Sequence, residues 1–83
     1  MEIDNSLLKA ILEELNPKYP NSIDRFEDIQ KEEKDRNKIL VHLTILKDDG
    51  LIECQPIEES GTIVEYAIIK ITTKGMKYLA NLS

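Results

Sequence analysis

Apolar residues recur at helical spacing at Ile3, Leu7, Leu8, Ile11, Leu12 and Leu15, with Lys9, Glu13 and Glu14 on the other side. This predicts a first helix from about Asp4 to Leu15, capped by Asp4 or Asn5. With Ile3 and Leu7 included, the stripe approaches half the circumference, so this helix is expected to be deeply buried or to pack against a partner as well. Asn16-Pro17 and Tyr19-Pro20-Asn21 predict an extended turn, because each proline biases its predecessor away from helical dihedrals. Ile23, Phe26 and Ile29 follow at spacing three, which predicts a short second helix over Ile23 to Gln30 with Asn21 or Ser22 as its cap. A polar run from Gln30 to Lys38 then leads into Ile39, Leu40, Leu43 and Leu46, a core stripe that ends at Gly50. The spacing predicts a third helix from about Glu32 to Asp49, with Gly50 as the left-handed residue beyond it.

Downstream the period shortens. Leu51 to Ile57 and Thr62 to Ile71 read as two strands, joined by a hairpin loop of Glu58-Glu59-Ser60-Gly61. Simple alternation puts Ile63, Ala67, Ile69 and Ile71 on one face of the second strand, and Val64, Tyr66 and Ile68 on the other. Both faces are apolar, so part of the hairpin is expected to meet a second subunit. Thr72 or Thr73 caps a last helix, Lys74 to Leu82, which buries Met76, Leu79 and Leu82. The fold class is α+β, in a single domain over residues 1–83.

Composition narrows the chemistry. The chain has 83 residues, 11 Lys+Arg and 16 Asp+Glu, for a net charge of −5. That is too small for a catalytic domain beside a substrate domain. The charge is uneven: residues 51–65 carry four acids and no base, and residues 66–83 carry three lysines and no acid. No apolar run approaches the roughly eighteen residues that a membrane span needs, and the N-terminus lacks the pattern of a signal peptide, so a cytoplasmic protein without membrane contact is expected. Cys54 has no partner for a disulfide.

The stretch Leu43-Thr44-Ile45-Leu46-Lys47-Asp48-Asp49-Gly50-Leu51-Ile52-Glu53 is followed about twenty residues later by Ile71-Thr72-Thr73-Lys74-Gly75-Met76-Lys77-Tyr78-Leu79. Together they resemble winged helix-turn-helix proteins of the MarR, ArsR and PadR types, and most closely a small winged-helix group of bacterial and phage-derived genomes. The first stretch is similar to the end of a recognition helix entering the wing, and the second to the threonine-x-lysine-glycine turn that caps the helix after it. The resemblance covers nearly the whole chain. It implies three helices, a two-stranded wing and a C-terminal helix, with the third helix in the major groove of duplex DNA and the hairpin along the backbone.

The residues offered to that role follow from the helical wheel. With Leu43 at zero and about 100° per residue, Ile39, Leu40 and Leu46 fall within roughly 60° of it. Asn37, Lys38, Val41, Ile45 and Asp48 fall opposite, with His42 at the margin. The candidate DNA-contacting set is Lys34, Arg36, Asn37, Lys38, Val41, His42 and Ile45. Asn37 suits adenine, Lys38 guanine or phosphate, and Val41 or Ile45 a thymine methyl. Against this, Asp48, Asp49, Glu32 and Glu33 repel phosphate, and Glu58 and Glu59 stand at the hairpin tip.

Catalysis and metal binding find little support. His42 and Cys54 are the lone members of their types, too few for a zinc site, and a nucleophile pair would need the late part of the third helix and a wing strand to bring them within hydrogen-bonding distance. No enzyme activity and no cofactor are expected. The principal expectation is a small transcriptional regulator, either paired as a homodimer through the helix at residues 4–15 or through the wing, or monomeric. The alternative is a winged-helix adaptor that binds a protein partner at Val41 and Ile45 and leaves DNA alone, since exposed apolar residues commonly mark an interface.

Overall fold

Asp4 sets the start of the first helix. In a computed structural model, which describes residues 3–25 and 35–82, Asp4 is extended and its Oδ1 accepts from the Leu7 N–H at 3.1 Å. Helix α1 (Asn5–Leu15) follows and buries Leu8, Ile11, Leu12 and Leu15. Ile3 precedes the cap and is 56% exposed, and Leu7 lies at the rim of the core. The stripe is therefore narrower than its sequence suggested, and the chain's own core covers it. A single 3-10 turn, Asn16–Lys18, and a cis Tyr19–Pro20 bond carry the chain away from α1.

The expected second helix is not a helix where it can be described. Ile23–Arg25 forms strand β1, which pairs antiparallel with the strand at Thr62–Ile71 through Ile23↔Ile69 and Arg25↔Ala67. Spacing three over one turn carries little information, and Ile23 gains more by lying buried on an open sheet edge that accepts its backbone. The remainder of that expectation, residues 26–30, falls outside the described residues.

Helix α2 runs over Arg36–Asp48, and Asp35 caps it by accepting from the N–H groups of Asn37 at 3.0 Å and Lys38 at 3.2 Å. A short carboxylate that can hold two unpaired amide donors favours a helix start. The helix therefore begins at Arg36, later than the expected start near Glu32, because Asp35 is extended at its cap, and residues 32–34 lie outside the described residues. The other end closes as the sequence implied. Gly50 has φ +76°, its N–H donates to the Lys47 carbonyl at 3.0 Å, and the Leu51 N–H reaches the Leu46 carbonyl at 2.9 Å. These two bonds define a Schellman stop, and it aims the chain directly into strand β2 (Ile52–Glu59).

Strands β2 and β3 (Thr62–Ile71) form a hairpin, and the sheet order is β1-β3-β2, all antiparallel. The turn is shorter than expected. Glu58 and Glu59 belong to β2, opposite Ile63 and Thr62, and Ser60-Gly61 alone makes the turn with φ +51° and +80°. Two consecutive positive φ angles match the right-handed twist of the flanking strands.

The alternation of β3 is broken by a bulge. Glu53 pairs with Lys70 but Gln55 with Ala67, so β3 carries one extra residue there, and Ile68 takes φ +54°. One inserted residue shifts the side-chain parity of everything beyond it. Tyr66 before the bulge and Ile69 and Ile71 after it therefore share the buried side, and Ile68 is left 49% exposed. The expected two-faced strand thus becomes one whose buried apolar residues change parity at this bulge, while the adjacent Glu65 is also buried and a second register shift lies between Ile57 and Glu58.

Helix α3 (Thr73–Leu82) closes the core with Leu79, while Leu82 is exposed and Met76 is partly buried. Its start is fastened to the end of α2. Thr72 Oγ1 accepts from the Gly75 N–H at 3.0 Å and donates to the Gly50 carbonyl at 2.8 Å, and Lys74 Nζ donates to the Asp49 carbonyl at 2.8 Å. A methyl group on Gly75 would overlap the Leu51 carbonyl. The two sequence stretches singled out above are thus the two halves of one junction.

Candidate interaction face on the second helix

The side of α2 that meets α1 is built around His42. The imidazole has no solvent exposure. Its Nε2 accepts from the Asp4 N–H at 2.9 Å, so Nδ1 carries the proton and donates to the Lys38 carbonyl at 2.7 Å. One turn earlier, Lys38 Nζ lies 3.0 Å from Asp4 Oδ2. That ammonium, followed by the Leu7 N–H, holds the Asp4 carboxyl below its ordinary range. The start of α1 is thereby tied to the middle of α2 by a backbone donor, a side-chain ring and an ion pair.

This arrangement overturns the placement of His42 as a partly exposed contact residue. The wheel put it at the margin of the outer face, and the start of α1 lies against that margin with an amide donor in need of an acceptor. Ile45 also turns partly inward, packing against the core. Arg36 reaches across to β3, with one guanidinium nitrogen 3.3 Å from the Val64 carbonyl and 4.0 Å from Glu65 Oε2. Lys34 lies outside the described residues. Of the seven candidates, Arg36, Asn37 and Val41 are exposed, Arg36 while reaching toward β3 and Asn37 and Val41 on the open side of the helix, with Val41 37% exposed.

Those two residues border a groove. Asn37, Leu40, Val41 and Thr44 of α2 and Ile63 of β3 line an open depression of about 290 Å³. Thr44, one of the lining residues, has its hydroxyl fully engaged. Thr44 Oγ1 donates to the Leu40 carbonyl at 2.9 Å and accepts from the Tyr66 hydroxyl at 2.7 Å, which satisfies the buried phenol. Sequence reasoning missed Leu40, Thr44 and Ile63 as members of this surface. Leu40 read as core, and Ile63 met α2 only through the folding of the hairpin. A second depression of about 440 Å³ lies between α1 and α3, bordered by Lys9 and Glu13 on one side and Met76 and Ala80 on the other.

The surroundings of the groove are acidic. Glu58 and Glu59 are exposed near the hairpin tip and Asp48 and Asp49 at the end of α2, while Lys70 is paired with Glu53 at 3.3 Å. Both ring nitrogens of His42 are engaged, and burial pushes the Cys54 thiol up to about 11, against the opposing pull of Lys47. A thiol so raised carries very little thiolate near neutrality. Among the described residues no group of three His, Cys, Asp or Glu side chains is placed to hold a metal ion, and no helix is long and apolar enough to cross a membrane.

The described residues thus define an α+β fold of three α-helices and a three-stranded antiparallel sheet, with an apolar groove on an acidic face. The chain belongs to the DUF2513 family, whose profile, described as "Hypothetical protein (DUF2513)", matches residues 2–83. No curated protein and no solved structure matches it.

Proposed function

We propose that this chain is a winged-helix-type module that docks a protein partner on the face formed by α2 and the β2–β3 hairpin. The element order of helix, strand, helix and hairpin, with the first strand beside the third, supports that architecture. The observation that carries the docking reading is how α2 divides its side chains. Lys38 is held by Asp4 and Arg36 lies against Val64 and Glu65, while Leu40, Val41 and Ile63 frame an open apolar groove. Nonspecific affinity for a duplex comes chiefly from cations that displace counterions, and this face presents carboxylates in their place.

A second reading keeps the DNA-binding regulator. It is favoured by the outward placement of Asn37 and Val41 on the helix that winged regulators lay in the major groove. Amide shifts during titration with random duplex DNA at about 50 mM salt separate the two, because phosphate contacts are strongest there. The docking reading predicts that the amides of residues 36–45 stay in place. Saturable shifts at Asn37 and Val41 would overturn it in favour of DNA.

A further inference from the structure

We infer that the occupant of the α2–β3 groove is a basic amphipathic helix of a partner protein, an inference that rests on the docking reading above. The groove's volume lies at the low end of the roughly 300–1,000 Å³ typical of small-molecule sites. Its walls are Leu40, Val41 and Ile63, and the hydroxyl hydrogen of Thr44, which also lines it, is already donated to the Leu40 carbonyl. Such a trough suits aliphatic side chains set along one face of a helix, the arrangement by which amphipathic segments dock. The lining residues of α2 recur one turn apart, so the trough runs along that helix.

An extended peptide is a poor fit. Strand β3 pairs with β2 along its length and with β1 over Ala67 to Ile69, the Val64 carbonyl beside Ile63 accepts from the Arg36 guanidinium, and the outer edge of β2 is interrupted by Pro56, which has no N–H to donate. A helix satisfies its own backbone bonds and needs no sheet edge.

Charge decides the partner's polar face. Glu58 lies directly opposite Ile63 in the hairpin register, and directly opposed residues share a face of the sheet. Asp48 lies seven residues beyond Val41 and so returns to the same side of α2. The groove is therefore bracketed by carboxylates. Among the described residues, Lys38 is held by Asp4, Lys70 by Glu53 and the half-exposed Arg36 by Val64 and Glu65, while Lys47, seven residues beyond Leu40, lies within electrostatic reach of Cys54 on β2. A second copy of this chain, at net charge −5, would bring like charge to this face.

The test is an amide-shift titration of the labelled full chain with two synthetic helical peptides of identical leucine spacing, one with lysine and one with glutamate on its polar face. The leucine-lysine peptide is expected to shift Asn37, Val41, Thr44 and Ile63. Val41→Asp should abolish those shifts although it adds negative charge, an outcome that simple attraction between a basic peptide and an acidic protein cannot produce. Val41→Ser, a milder change at an exposed position, should weaken binding severalfold and keeps the test readable if the aspartate variant unfolds. Reversal of both Glu58 and Glu59 to lysine should weaken binding roughly tenfold. Equal binding of the leucine-glutamate peptide would overturn the basic helix and leave protein docking standing. Failure of both peptides to shift the groove would overturn this inference, and the docking reading would fall with it only if duplex DNA shifts the same amides.

Discussion

The two flanks of α2 use their side chains in opposite ways. Toward α1, the polar residues His42 and Lys38 are taken up by Asp4, and Leu43 beside them has no exposure. Toward the hairpin, the aliphatic residues Val41 and Ile63 stay partly open to solvent, at 37% each, around a groove. Residue type alone suggests the reverse, with charged and aromatic-ring donors facing outward and β-branched residues facing in. A buried polar group is tolerated once all its bonds are made, and an exposed aliphatic one is tolerated where something else covers it in use. The contrast separates what holds this helix in place from what it can offer a partner.

The largest test of the contrast is a pair of truncations. Leu43→Ala should cost about 2–5 kcal/mol of unfolding free energy, since it empties a site sealed by the core. Val41→Ala, two residues away, should stay within about 0.5 kcal/mol. Urea denaturation measures both, and similar losses for the two would mean that the flanks are not distinct. Next in size is His42→Phe, which keeps the ring's bulk but strips the acceptor from the Asp4 N–H. The expected loss is about 1–3 kcal/mol, with hydrogen exchange accelerated in the first turn of α1. Unchanged exchange there would show that His42 does not fasten α1 to α2.

On the hairpin side, Ile68 is a β-branched residue with φ +54°, a conformation that costs an L-residue roughly 1–2 kcal/mol. Ile68→Asn, which tolerates that region, should raise stability by about 1 kcal/mol, and a drop in thermal midpoint would rule out stored strain at the bulge. The smallest effect concerns acid. The Asp4 carboxyl is held below its ordinary value of 3.8 by Lys38 and the Leu7 N–H, so its contribution is fully present above 3.8 and is lost as pH falls through the lowered value. Asp4→Asn retains a capping residue but removes that dependence. The urea midpoints of the two proteins should therefore converge as pH drops below 3.8, and parallel curves would remove Asp4 from the acid response.

Much of the fold was legible because its signals are local. The stripe of Ile39, Leu43 and Leu46, the left-handed Gly50, the strand from Thr62 to Ile71 and the cap at Thr72 each depend on residues within a turn or two of one another. The misreadings have a common physical form. Ile23 joined a strand because β3 lay beside it, Ile68 shifted the parity of β3 at a bulge, and His42 turned inward to an amide thirty-eight residues away. Of the candidate face, Asn37 and Val41 were found from the wheel, whereas Ile63 and Thr44 needed the hairpin folded over α2. Periodicity reports how each element partitions between core and water, and it is silent on which element lies next to which.

The amino-acid order by itself determined where α1 and the hairpin lie along the chain, how α2 stops, and that residues 51–65 carry four acids and no base. Tertiary packing alone decided that Lys38 and Arg36 would be directed to partners in their own chain, that His42 would be sealed, and that Val41 and Ile63 would border one groove. The reason is that a helix start or a turn is settled by bonds spanning a few residues. A side chain's availability is settled by unpaired donors and acceptors that arrive from distant segments.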